Sequence, residues 1–252
     1  MAETFYQALS VVFDLLFPPD PDTVRFLAAL CTPGAPVLDV ACGAGGYALA
    51  LADLGHPATG VDLDPAMIRR AEAKRKTAEV RFLVGDMRRL AEVCRGLYGL
   101  VFCLGNSLAH LAAEGEVVLV LRQLCNLLEP GGALVVQIVN FDRLLESGAV
   151  DFPVLGSQAQ GVVFRRRYSP GTEDRLVRFS TELLIREGSG WRRREDSFEL
   201  LMLSSSRLTG LVRGAGLREL KLYGDFRGGS HGPQSFLTVL TAREEKAHGG
   251  AA

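Results

Sequence analysis

The sequence predicts an α/β protein whose core is a doubly wound sheet of seven strands, the last antiparallel, with an antiparallel β insertion after the fifth strand. Short, wholly apolar runs alternate with helical periodicity as far as residue 145. Strands that are apolar on both faces belong to a parallel sheet covered by helices. After residue 150 the texture changes to long runs of alternating polar and apolar residues separated by Gly- and Pro-bearing turns. That is the pattern of an antiparallel sheet with one wet face.

Taken in order, Phe5, Leu9, Val12, Phe13, Leu16 and Phe17 recur at helical spacing, so a helix is expected over residues 3–17, ended by Pro18-Pro19. A second is expected over 21–30. A strand follows at 36–40, a helix at 44–54 and a strand at 58–62, entered through Gly55 and Pro57. Asp64 and Pro65 have the chemistry of a helix cap and first helical residue. The helix they open carries Arg69, Arg70, Lys74, Arg75 and Lys76, read as a solvated face. Val80, Phe82 and Val84 alternate as a third strand, and Leu100–Leu104 reads as a fourth. A helix over 114–128 stops at Pro130-Gly131-Gly132, before a fifth strand at 133–139. Strands at 162–168, 175–186 and 191–202 form the expected insertion. A helix at 205–215 and a hairpin-like pair at 218–223 and 235–242 close the fold. The implied division is an N-terminal helical lid (1–30), a core (31–145), a cap or interface insertion (146–203), the rest of the core (204–243) and a disordered tail (244–252).

At 252 residues and a formal net charge of −1, the chain has the size of one substantial domain and lacks the basic excess of a nucleic-acid binder. Five scattered cysteines without a C-x-x-C pair read as reduced thiols, so no metal site is expected. No apolar run is long enough to span a bilayer, and the first residues carry no basic signal region, so a cytoplasmic protein without a membrane partner is expected. A second copy of the chain is a candidate partner.

The chemistry concentrates in Asp39-Val40-Ala41-Cys42-Gly43-Ala44-Gly45-Gly46, followed by Asp62 and by Gly85-Asp86-Met87. A strand ends beside a carboxylate, a glycine turn opens a helix, and the next two strands each end in a carboxylate. The turn alone satisfies G-x-G-x-x-[G/A], with Asp62 near the spacing of a ribose contact, so a dinucleotide site is one reading. Asp39 argues against it, because a carboxylate at the loop entry repels a pyrophosphate and suits a ligand ammonium group. With Asp86 placed for an adenine amino group, the set fits an adenosyl amino acid, S-adenosylmethionine.

The stretch 36–141 resembles the class I S-adenosylmethionine-dependent methyltransferases, whose sheet is Rossmann-like, in its D-x-A-C-G-x-G, G-V-D-x-D-P-x-M-I and G-D-M segments. The resemblance implies that Asp39 and Ala41 with Gly43 and Gly45 hold the methionyl part. It implies that Asp62 binds ribose, that Asp86 and the Met87 backbone meet adenine, and that Leu63 and Met67 wall the ring. Locally, Cys103–Leu111 and Val139-Asn140-Phe141-Asp142 are similar to glycine N-methyltransferase and related small-amine enzymes. That likeness implies a Leu104 carbonyl on the cofactor's amino group and a substrate contact from Asn140.

Methyl transfer from a sulfonium is an in-line displacement that needs alignment and exclusion of water more than a strong base. Asn106, His110 and Asn140 are the candidates near the reacting methyl. Tyr6, His231 and Arg165 are candidate substrate contacts, Arg165 because one guanidinium of Arg165-Arg166-Arg167 must point inward on a strand. Each has a plainer reading: a capping or core histidine, an aromatic of the core, or a solvated arginine paired with Glu182, Glu195, Asp196 or Glu199. The expected activity is methyl transfer to nitrogen of a small acceptor. The alternatives are a small-molecule O-methyltransferase and a non-catalytic cofactor-binding partner protein.

Overall fold

A computed structural model describes residues 5–243, so the expected tail and the first residues of the expected lid lie outside the described residues. The N-terminal stretch forms two short helices, α1 (Phe5–Ser10) and α2 (Phe13–Leu16), in place of the single helix expected. The break falls at Val11-Val12, where two β-branched side chains meet and Ser10 Oγ already donates to the Gln7 carbonyl at 2.7 Å. Helix α3 (Pro21–Leu30) is capped by Asp20, whose carboxylate accepts from Thr23 N at 2.8 Å.

The core then alternates β1 (Val37–Val40), α4 (Gly46–Ala52), β2 (Ala58–Asp62), α5 (Pro65–Lys74), β3 (Val80–Val84), a turn of 3₁₀ helix at Met87–Arg89, α6 (Leu90–Val93) and β4 (Tyr98–Cys103). A second 3₁₀ turn spans Ser107–His110, followed by α7 (Glu114–Asn126) and β5 (Leu128–Val139). Asp64 caps α5 through Ala66 N at 2.7 Å, with Pro65 as its first residue, as the sequence predicts. Strand β5 begins before the expected stop signal: Leu128 already pairs with Tyr98, and the ladder shifts register before Leu100 pairs with Ala133. Pro130-Gly131-Gly132 is thus an irregularity within the strand.

Beyond β5 come α8 (Phe141–Ser147) and two short strands, β6 (Val150–Asp151) and β7 (Leu155–Ser157), none of them expected. The long strands β8 (Val162–Pro170), β9 (Leu176–Glu187) and β10 (Gly190–Leu201) follow, then α9 (Ser205–Gly214), β11 (Arg218–Tyr223) and β12 (Leu237–Arg243).

The seven-stranded sheet has the order β11-β12-β5-β4-β1-β2-β3, and β12 runs antiparallel to both its neighbours, so the expected fold is found. Strands β6 to β10 make a separate antiparallel sheet in which β8 lies beside β9. Its inner face is apolar: Val162, Phe164, Leu183 and Phe198 close over Phe5, Leu9 and Leu16 of the N-terminal helices. Phe164 is 1% exposed, and truncation to alanine at such a site costs about 3–5 kcal/mol. The N-terminal segment is therefore pinned to the second sheet, and an Asp14–Lys74 ion pair ties it to α5. Cys31, Cys42, Cys94 and Cys103 are buried free thiols. Among the described residues no helix is long and apolar enough to cross a membrane.

Candidate active site

Strand β1 sits between β2 and β4, where the winding of the sheet reverses, and ligands of such sheets bind beyond the strand ends at that point. The turn leaving β1 holds three residues in the left-handed region, Ala41 (φ 60°), Gly43 (φ 53°) and Gly45 (φ 77°). Glycine is required twice over at the last two. A Cβ on Gly43 would lie 2.7 Å from the Phe13 ring, and one on Gly45 would lie 2.5 Å from Phe82. Ala41 has no such freedom, and a non-glycine residue held there stores strain of about 1–3 kcal/mol.

Asp62 fastens the turn from the side. Its carboxylate accepts from Gly43 N at 2.8 Å and from Asp64 N at 2.9 Å. Asp39 lies beneath, 3% exposed, and its Oδ2 is buried without a hydrogen-bond partner. Burial, and then the neighbouring Asp62, hold the Asp39 carboxyl well above the usual carboxylate range. Burial likewise raises Asp62, partly opposed by the Asp64 and Gly43 amides. A buried acceptor without a donor is costly, and a ligand ammonium group supplies the missing donor together with an opposing charge.

The residues expected around the rest of the cofactor fall at the same sheet edge. Leu63 stands 66% exposed directly after Asp62, a bare apolar surface of the kind an adenine ring covers. Met67 is buried behind it in α5. The Leu104 carbonyl, just past β4, accepts from Ser107 Oγ at 2.8 Å and keeps a second lone pair. Asp86 is more committed than expected. It caps the 3₁₀ turn that begins at Met87, and both its oxygens bind Arg88, with Nη2 at 2.6 Å and Nε at 3.0 Å. Arg88 holds its carboxyl below the usual range, so an adenine amino group reaches Asp86 only by displacing Arg88.

On the acceptor side the structure separates residues that the sequence treats alike. The Tyr6 hydroxyl and His110 Nε2 share a hydrogen bond of 3.1 Å, its direction set by the imidazole tautomer. His110 keeps an exposed edge, yet Tyr6 and Phe198 crowd its ring, and the local loss of water holds its pKa below the ordinary imidazole value. Asn106 adopts φ 65°, accepts from Val139 N at 3.0 Å and donates to the Tyr168 hydroxyl at 3.4 Å.

Asn140 is turned inward and saturated. Its amide donates to the Gly232 and Ser235 carbonyls, each at 3.0 Å, and its oxygen accepts from Asp142 N at 3.2 Å. That leaves Asn140 as the clasp between β5 and the 232–236 loop rather than an open substrate contact. His231 is drawn into the same clasp through Thr238 Oγ1 at 2.9 Å. Arg165 pairs with Glu182 on the outer face of the second sheet. The inward guanidinium is Arg166, whose strand neighbours of the same parity are the buried Phe164 and Tyr168. Phe164-x-Arg166-x-Tyr168 is the signal that could have found it.

Comparison with known proteins fits this geometry. A methyltransferase-domain family profile matches residues 37–132. The CcbJ methyltransferase of Streptomyces caelestis superposes with a TM-score of 0.79 at 26% identity, covering 97% of this chain and 99% of that one. Residues 37–132 carry a methyltransferase domain, and the fold around them is that of a class I S-adenosylmethionine-dependent methyltransferase. This methyltransferase is 35% identical over 115 residues to the glycine/sarcosine N-methyltransferase of Parasynechococcus marenigrum, but covers only 41% of that relative's length and aligns over 45% of its own. It is 32% identical over 124 residues to the ubiquinone biosynthesis O-methyltransferase of Xanthomonas campestris, covering half of that relative and aligning over 48% of its own length. Its cofactor is S-adenosylmethionine, and the unpartnered Asp39 oxygen, the glycine turn and the bare Leu63 surface fit that molecule's ammonium, methionyl and adenine parts.

Proposed function

We propose that the enzyme transfers a methyl group to a nitrogen of a small acceptor by in-line displacement, inside a chamber formed between the glycine turn, the N-terminal helices and the second sheet. The observation that carries this reading is the Tyr6–His110 pair, which brings a base held in its neutral form to the end of β4, where the methyl-bearing sulfur is expected. The bound cofactor supplies the electrophilic methyl; the chain supplies everything else. Asp39 and Asp62 hold and orient. The aromatic N-terminal helices exclude water as a lid, and the second sheet caps the acceptor. His110, neutral at pH 7, accepts the proton that an ammonium acceptor must shed before its nitrogen attacks. The balance between nitrogen and oxygen rests on the glycine/sarcosine relative and on this neutral base. The ubiquinone relative carries the second reading, an O-methyltransferase.

The reduced cysteines support a cytoplasmic setting. Asp86 with the Met87 backbone remains the proposed adenine contact once Arg88 has moved aside.

The test is methyl transfer from labelled S-adenosylmethionine to two acceptor panels, one of small amines and one of phenols and carboxylic acids. Label entering only the amine panel supports the reading; label entering only the hydroxyl and acid panel replaces it with the O-methyltransferase.

A further inference from the structure

Arginines are plentiful on the second sheet, and on its outer face they are paired. Arg165 and Arg193 share Glu182, Arg167 meets Asp151 at 3.1 Å, and Arg178 meets Glu199 at 3.1 Å. Arg166 differs from all of these. It is turned to the inner face, and among the described residues no carboxylate answers it. Its Nη2 donates to the Pro153 carbonyl at 3.1 Å, while its Nε is buried with no acceptor. The rings of Phe17, Phe152 and Phe164 surround the guanidinium carbon at 5.8, 5.5 and 5.6 Å from their centroids. Such rings attract a cation by about 0.5–2 kcal/mol, yet they accept nothing from an in-plane N–H. The guanidinium is desolvated enough to lower its pKa, with only the Tyr168 hydroxyl group nearby to oppose that. A half-buried guanidinium whose Nε is buried without an acceptor is left less favourable than one completed by an anion.

Its location adds the second argument. Phe17 packs against Phe13 at 5.1 Å between centroids, and Phe13 lies on Gly43. Phe152 packs at 5.3 Å on Tyr168, whose hydroxyl accepts from Asn106. One ring therefore separates Arg166 from the residue lying on the cofactor turn, and its strand neighbour Tyr168 bonds to Asn106 directly.

We propose that the acceptor carries an anionic group, a carboxylate or a phosphate, and that Arg166 receives it through its unpartnered N–H within the aromatic cage. This rests on the methyltransferase reading for the identity of the chamber and adds the charge of what enters it. Arg166 is a specificity-determining residue, and a planar guanidinium fork matches either oxyanion.

The test is calorimetric titration of the full chain, loaded with S-adenosylhomocysteine, with sodium acetate and separately with inorganic phosphate. Wild type is compared with Arg166→Met, Arg166→Gln and the outward control Arg165→Met. Saturable binding of one or both anions, weakened about tenfold or more in both Arg166 variants and unchanged in Arg165→Met, is the expected result. The tighter of the two anions assigns carboxylate or phosphate. Arg166→Gln keeps a donor for the Pro153 carbonyl and serves if the methionine variant fails to fold. Equal affinity in wild type and Arg166→Gln overturns the proposal, as does an equal loss in Arg165→Met. Homocysteine-adduct binding, measured first on each protein, separates the two claims. Anion binding at Arg166 without it would contradict the cofactor assignment and leave the anion site standing.

Discussion

The Tyr6 hydroxyl lies 3.1 Å from His110 Nε2, so one hydrogen bond joins the N-terminal helix α1 to the turn that follows β4. It ties the N-terminal segment to the strand end where methyl transfer is proposed, so in the proposed mechanism the lid and the base are joined. Replacing Tyr6 by Phe keeps the packing on Phe5 and Phe198 and removes only this bond. We expect kcat/KM to fall about 10–100-fold with cofactor affinity unchanged, measured by steady-state kinetics and calorimetry.

The imidazole adds a pH signature. His110 has a folded pKa below its unfolded value, so the folded state loses stability as pH falls through about 6.5, and no such cost exists at pH 8. Urea denaturation of wild type and His110→Gln at pH 8 and pH 5.5 checks this. The stability difference between the two pH values should be smaller in the variant.

The two left-handed glycines differ in what surrounds them. At Gly45 an added Cβ meets both Phe82 and Ala71, at 2.5 and 2.9 Å, and these side chains are buried. At Gly43 it meets only the far end of the Phe13 ring, which is half-buried rather than buried. Gly45→Ala should therefore cost about 2–4 kcal/mol, from strain and overpacking together, and Gly43→Ala about 1–2 kcal/mol. Denaturant midpoints would order them, and equal losses would contradict the packing argument.

Asp39 predicts proton release on binding. Its carboxyl is held well up by burial and by Asp62, and a cationic ligand favours the charged form. Affinity for S-adenosylmethionine should rise with pH through the acid range, as fewer protons need to leave. Calorimetry in buffers of different ionisation enthalpy reads the released proton, and Asp39→Asn should abolish both the release and the pH dependence.

Asn106 is a structural bracket as much as an active-site residue. Asn106→Ala leaves the buried Val139 N–H without an acceptor, which should cost about 1–3 kcal/mol and be visible as a lowered Tm.

Local chemistry made much of this readable in the chain. Asp64 and Pro65 open a helix because a carboxylate and a fixed φ act within a few residues, and Gly43 and Gly45 mark a turn that other residues cannot make. Assigning Arg165 rather than Arg166 to the inner face went wrong for a nonlocal reason. A one-residue change of parity reverses every side chain on a strand, and parity is set here by pairing with β9. Asn140 and His231 were expected to meet substrate, yet both are drawn into the Thr238 network, which depends on a loop more than ninety residues away from Asn140. The split between α1 and α2 was hidden because the aromatic spacing continues across it.

The central claim is the adenosyl site, and calorimetry with S-adenosylmethionine, S-adenosylhomocysteine and NAD on wild type and Asp62→Ala tests it most directly. We predict binding of both adenosyl compounds at about micromolar affinity, lost in Asp62→Ala, with no binding of NAD. Binding of NAD in preference to either compound would contradict the account and return the glycine turn to the dinucleotide reading.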